Sequence, residues 1–132
     1  MTEVTAQLNG YRQSPRKVRL LADLIRGKSV DNAIIELDMA VKRASAPFKQ
    51  LLLSAIANAK NNHKLEQSTL YIKSVAVDGG SPLKRSMPRM GGRAFPIHKH
   101  TSHISLVLAE RAPKKAKVAG NKEQAKTKKA KK

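Results

Sequence analysis

Five cations and three histidines share one stretch of this chain, GGSPLKRSMPRMGGRAFPIHKHTSH at residues 79–103. Two chemistries suit such a set: metal ligation by the histidines, or anion binding by the whole group. In a strand His98 and His100 would share a face while His103 points the other way. No carboxylate lies nearby, and the adjacent cations oppose a divalent ion, so no metal site is expected. The cations are Lys84, Arg85, Arg89, Arg93 and Lys99, and no acid occurs from Gly79 to Ala109. A loop that served only solubility would mix signs. A purely basic segment needs an anionic surface to lie against, which points to nucleic acid, with His100 and His103 able to donate to phosphate or a ribose hydroxyl.

A second cluster precedes it. Arg12, Arg16, Lys17 and Arg19 surround Ser14-Pro15, where a helix is expected to start. The dipole and free N–H groups of a helix N-terminus favour a phosphate, so these residues form a preset anion site.

Catalytic constellations are missing. Ser, His and Asp occur, but nothing groups a nucleophile with a base, and the chain has no G-x-S-x-G, Walker-type or G-x-G-x-x-G motif. Asp23, between Arg19 and Arg26, reads as a helical ion pair. No enzyme activity, cofactor or small-molecule substrate is expected.

Composition agrees with the clusters. Lys and Arg number 27 against 9 acids, giving +18 on 132 residues and a pI near 10.7. Basic residues in separate groups at such a pI are the footprint of a nucleic-acid binder. The absence of cysteine rules out disulfides, thiolate zinc sites and a cysteine nucleophile. The start MTEVTAQLNG lacks a basic region followed by an apolar one, so no secretory signal is read. No apolar run is long enough for a membrane span.

The elements that must position these clusters follow from periodicity. Val18, Leu21, Ala22 and Ile25 make one apolar helical face after the Ser14-Pro15 start, and Gly27 ends that helix. A second helix starts near Ser29, with Ile34, Leu37 and Val41 facing inward. A third starts near Ser45, tolerates Pro47 in its first turn, buries Phe48, Leu51, Leu52, Ala55, Ile56 and Ala59, and ends at Asn61-Asn62. Strands are expected at Val4–Tyr11, Leu70–Val77 and Ile104–Ala109. The order predicts an α+β domain over residues 1–110: a three-stranded antiparallel sheet covered on one face by three helices.

If the last two strands pair, residues 79–103 must project as a long β-hairpin. Folded once, they reach roughly 35–40 Å. Gly91-Gly92 suits the positive φ of a tip turn, and Pro82, Pro88 and Pro96 remove backbone donors that would make sticky edges. Isolated two-stranded ribbons are marginal in water, so the hairpin is expected to be ordered only on a partner. Residues 111–132 carry ten Lys/Arg and one Glu with almost nothing apolar, and read as a disordered basic tail.

The scarcity of aromatics argues against a single-strand reader that stacks bases on ring platforms. A helix-turn-helix reading fails because the second helix is acidic (Asp31, Glu36, Asp38). Phosphate-directed binding to a folded RNA remains. A nucleoid-type DNA-compacting protein would explain the charge but not one long acid-free extension. A cationic membrane binder would need a basic amphipathic helix that the chain lacks.

Three blocks are recognisable in order: SPRKVRLLADLIRGKSV at Ser14–Val30, SAIANAKNN at Ser54–Asn62, and SPLKRSMPRMGGRA followed by KHTSHISLVL. Over roughly residues 4–110 the chain resembles the bacterial large-subunit ribosomal protein L-twenty-two family. The resemblance implies a structural constituent of the cytoplasmic ribosome. Its α+β body would lie on the subunit surface, and its hairpin would thread the large-subunit rRNA to line the nascent-peptide exit tunnel. By position it implies rRNA contacts for Ser14, Pro15, Arg16, Lys17 and Arg19 on the body. Along the hairpin it implies them for Lys84, Arg85, Arg89, Arg93, Lys99 and His103, with His100 standing where Arg is common. Met87, Pro88, Arg89, Met90, Gly91, Gly92 and Arg93 would form the tunnel wall. Partners would be rRNA, neighbouring ribosomal proteins and the nascent polypeptide, with no membrane. Phe95-Pro96-Ile97-His98 departs from the family pattern by its proline.

Overall fold

The computed structural model describes residues 2–110; the lysine-rich segment expected to be a disordered tail lies outside the described residues. Strand β1 (Glu3–Tyr11) leads into helices α1 (Pro15–Ile25), α2 (Val30–Met39) and α3 (Ser45–His63). Strand β2 (Leu70–Gly79) follows, then β3 (Leu83–Pro88), β4 (Ala94–Lys99) and β5 (Ser102–Glu110). β5 is the central strand of an antiparallel three-stranded sheet in the order β1-β5-β2, and β3 and β4 pair separately as a two-stranded ribbon. The expected α+β architecture is present, with the helices against one face of the body sheet.

The core forms where the periodicities meet. Ile104, Leu106 and Leu108 alternate along β5 and are fully buried. They meet Val18, Leu21 and Ile25 of α1, and Phe48, Leu52, Ala55 and Ala59 of α3, in one cluster. Ala55 and Ala59 are fully buried, and side chains of one carbon let a neighbouring element come close to α3 there. Burying each of the larger side chains contributes about 1.5–3 kcal/mol.

Three details differ from the periodicity. α2 stops at Met39, and Ala40 turns extended (φ −75°, ψ 111°). That carries Val41 off the helical face to 97 % exposure, so it does not face inward as expected. α3 runs past Asn61-Asn62 to His63 and ends on Lys64 in the left-handed region (φ 54°). The projection is also shorter than residues 79–103 folded once would give. Gly79 and Ser102 pair with each other in the body sheet, leaving six residues in each arm of the ribbon.

β2 is an edge strand whose outward groups are taken up by α1. Arg19 Nε and Nη2 donate to the Val77 carbonyl (3.2 and 3.0 Å), and Arg26 Nη2 donates to that of Val75 (3.1 Å). Past the helix end, the Gly27 N–H donates to Ile72 O (3.0 Å), and the Ile72 N–H donates to Lys28 O (2.9 Å). The edge that could pair with another chain is thereby closed. Across the sheet the ammonium of Lys73, at a bulge in β2, bonds the Glu3 carboxylate of β1. That hydrogen bond, together with the attraction of the carboxylate, raises the Lys73 pKa above its ordinary value.

Candidate nucleic-acid interface

The ribbon is built from local chemistry. Gly91 and Gly92 take φ of +73° and +70° at its tip, as the turn demands. The Arg89 N–H donates to Arg93 O at 2.8 Å, which makes 89/93 a hydrogen-bonded pair. Alternation along an antiparallel ladder then makes 88/94 and 86/96 non-hydrogen-bonded pairs, whose N–H positions face outward. Pro88 and Pro96 sit at those positions, so neither costs a ladder bond. The proline in Phe95-Pro96-Ile97-His98 therefore leaves β4 continuous, and it blocks an outer edge. Every residue from Lys84 to His100 is exposed.

At its root the ribbon is clamped to the body. The Gly80 N–H donates to Thr101 O (2.9 Å), and the Thr101 hydroxyl donates to Ser81 O (2.8 Å). A Cβ on Gly80 would fall 2.4 Å from Thr101 Oγ1 and 2.9 Å from His103 Nε2. The glycine is needed because two side chains occupy the space that any other residue would fill.

The clamp brings the two basic clusters of the sequence together. A cleft of about 460 Å³ is lined by Arg12, Gln13, Ser14, Lys17, Arg43, Leu83, Lys99, His100 and Thr101. A second, of about 470 Å³, is lined by Ser14, Pro15, Arg16, Lys17, Arg19 and His100. They share Ser14, Lys17 and His100, so the start of α1 and the root of the ribbon form one continuous basic surface. Ser14 stands at the N-cap position expected for it, but its hydroxyl makes no capping bond and remains available to a ligand.

Arg43 belongs to this surface and was not anticipated. Its basic character is visible in the doublet Lys42-Arg43, but the α2–α3 connection that carries it lies far in sequence from both clusters. Arg19 lines the second cleft while spending donors on Val77, so it holds the fold together as well. His103 differs from its expected place along the hairpin. It lies in β5, and its Nδ1 accepts the Gly10 N–H at 3.2 Å, where a bulge in β1 leaves that donor without a ladder partner. His98 and His100 rings lie 6.4 Å apart, edge to face. Among the described residues no group of three or more His, Cys, Asp or Glu is placed to hold a metal.

The electrostatics are one-sided. Among the described residues the ion pairs join Arg26–Asp23, Lys28–Glu36, Lys49–Asp38 and Lys73–Glu3. None involves Arg12, Arg16, Lys17, Arg43, Lys84, Arg85, Arg89, Arg93 or Lys99. The paired acids Glu3, Asp23, Glu36 and Asp38 thus meet cations elsewhere, and these cleft and ribbon cations have no ion-pair partner among the described residues. Such a surface suits phosphate, and its spacing over a cleft and a projecting arm suits a folded polyanion.

Comparison with known proteins gives the same direction. The family model for ribosomal protein L22p/L17e matches residues 6–109. The chain is 50 % identical over 109 residues to the large ribosomal subunit protein uL22 of Caldicellulosiruptor saccharolyticus, covering 83 % of this chain and 89 % of that one. It is 53 % identical over 100 residues to the protein of the same description from Mycoplasmopsis agalactiae, covering 76 % and 88 %. With that of Geotalea daltonii it shares 46 % over 109 residues, covering 83 % and 98 %.

Proposed function

Since this chain belongs to the ribosomal protein L22p/L17e family, we propose that it is a structural constituent of the large ribosomal subunit that binds rRNA through its basic cleft and its ribbon. The observation that carries this reading is the run of cations, without an ion-pair partner among the described residues, from Arg12 and Lys17, across Arg43 and Lys99, to Arg93 at the tip. Spread over the cleft and along the ribbon, they meet several phosphates at once and neutralise charge that a compact RNA concentrates. The body, residues 1–110 apart from the ribbon, sits on the subunit surface in the cytoplasmic ribosome and touches neighbouring ribosomal proteins. The ribbon enters the RNA, and its tip from Met87 to Arg93 lines the path of the nascent polypeptide. Its exposure and its glycine tip support this, because a ribbon with nothing to pack on gains order from walls around it. The role is one of architecture and assembly, with no catalysis.

The test is sedimentation of a lysate with graded salt washes. Phosphate contacts lose affinity with salt at a log–log slope of roughly −0.7 to −0.9 per neutralised phosphate. A protein held only at the surface leaves early, whereas one threaded into folded RNA stays. Stoichiometric retention in the large subunit at high salt is expected. Early release, or sedimentation with DNA, would overturn the proposal.

A further inference from the structure

The register of the ribbon divides it into two unlike faces. Met87 lies opposite Phe95, Arg85 opposite Ile97, Ser86 opposite Pro96 and Pro88 opposite Ala94. Paired residues project to the same side, and successive residues along a strand to opposite sides. One face therefore carries Arg85, Met87, Phe95 and Ile97, and it continues at the tip with Arg89 and Arg93, whose backbones are still extended. Between those pairs the opposite face carries Ser86, Pro88, Ala94 and Pro96, all small or cyclic and uncharged, and its one cation, Lys84 beside His98, lies further back toward the root. The Arg89 guanidinium lies 5.8 Å from the centre of the Phe95 ring, so the two side chains do share a side.

Phe95 is 54 % exposed and Met87 46 %. A phenyl ring left in water at the end of a narrow arm contributes nothing to the fold, which has its own core. Guanidinium groups flank this small apolar patch along the ribbon. That pattern complements a polyanion with flat apolar faces, which is the chemistry of a nucleotide: the ring meets a base, and the arginines meet phosphates on either side.

We propose that Phe95, braced by Arg89 and flanked by Met87, is a stacking platform for an unpaired rRNA base, and that the Ser86/Pro88/Ala94/Pro96 face is turned away from RNA. This rests on the reading that the ribbon lies within rRNA. Stacking on a ring is tolerant of base identity because every base has a π-face, so the site selects an unstacked nucleotide rather than a sequence.

The experiment uses large subunits purified from cells carrying the wild-type chain, Phe95→Ala, Phe95→Tyr or Ser86→Ala. Their rRNA is probed by 2′-hydroxyl acylation, and wild-type subunits are also crosslinked with short-wave ultraviolet light and analysed by mass spectrometry. A nucleotide crosslinked to Phe95 is expected. In Phe95→Ala its acylation should rise by at least about five-fold, the low end of base–aromatic stacking, with Phe95→Tyr and Ser86→Ala unchanged. A wild-type ring that crosslinks to polypeptide or to no nucleotide, in subunits that retain the protein through the salt wash, overturns the platform and leaves the ribosomal reading standing. So does an acylation pattern in Phe95→Ala identical to wild type. Loss of the wild-type protein in the wash overturns both. The crosslink needs no variant, so a failure of Phe95→Ala to assemble does not shield the proposal.

Discussion

Arg19 of α1 reaches the carbonyl of Val77 in β2 with two donors, at 3.2 and 3.0 Å, closing the open edge of the sheet. Arg26 makes the same kind of contact to Val75 at 3.1 Å. Two arginines on the outer side of a helix, which periodicity marks as solvent-facing, thus fasten the helix to a strand edge. The cleft depends on this contact, because α1 carries Ser14 and Lys17 into it.

Arg19→Ala should therefore behave as a stability variant. Losing a charge-assisted bond to a backbone carbonyl costs about 1.5–3 kcal/mol, to be read as a shift in the urea midpoint of the isolated protein. Arg19→Lys should recover little, since a single ammonium cannot reproduce the fork of the guanidinium. Wild-type stability in Arg19→Ala would show that the carbonyl is satisfied without it.

Lys17→Ala, Arg43→Ala and Lys99→Ala should leave stability within about 0.5 kcal/mol, as exposed substitutions away from the core do. Each should lower the salt slope of binding to large-subunit rRNA by about 0.7–0.9, measured by filter binding across a salt series. An unchanged slope for Arg43→Ala would remove the α2–α3 connection from the interface.

Gly80→Ala should loosen the root of the ribbon. The added Cβ meets Thr101 Oγ1 at 2.4 Å and His103 Nε2 at 2.9 Å, and the Thr101 hydroxyl must swing away from Ser81. Overpacking of this kind costs about 1–3 kcal/mol. Combining it with Thr101→Val should cost less than the sum of the two, because both break the same bond. Full additivity in thermal unfolding would contradict the clamp.

The ribbon should be the least protected part of the described residues in the isolated protein, since its residues from Lys84 to His100 are exposed and, among the described residues, its two strands pair only with each other. In amide exchange followed by NMR, residues 84–98 should exchange far faster than Ile104, Leu106 and Leu108 of β5. Slow exchange throughout the ribbon would show that it needs no partner to be ordered.

Much of the molecule was legible without coordinates. The spacing of Val18, Leu21, Ala22 and Ile25 specified the buried face of α1, because a helix repeats every 3.6 residues whatever surrounds it. Gly91-Gly92 marked the tip because the turn needs positive φ there, and the acid-free run from Gly79 to Ala109 marked the ribbon as an anion-binding arm. These are properties of neighbouring residues, and the chain carries them locally.

Tertiary structure decided the rest. Val41 continued the apolar pattern of α2, but the backbone turned at Ala40 and left it in solvent. His103 read as part of the basic arm, yet a bulge in β1 placed the Gly10 N–H against its ring. Arg43 joined Arg12 and Lys99 because the α2–α3 connection folds back beside the ribbon's root. The two faces of the ribbon required the register that pairs Met87 with Phe95. Periodicity tells which residues turn inward on their own element. Which distant edges, carbonyls and charges come to face one another is set when the elements pack, because contacts between residues far apart in sequence exist only in the folded chain.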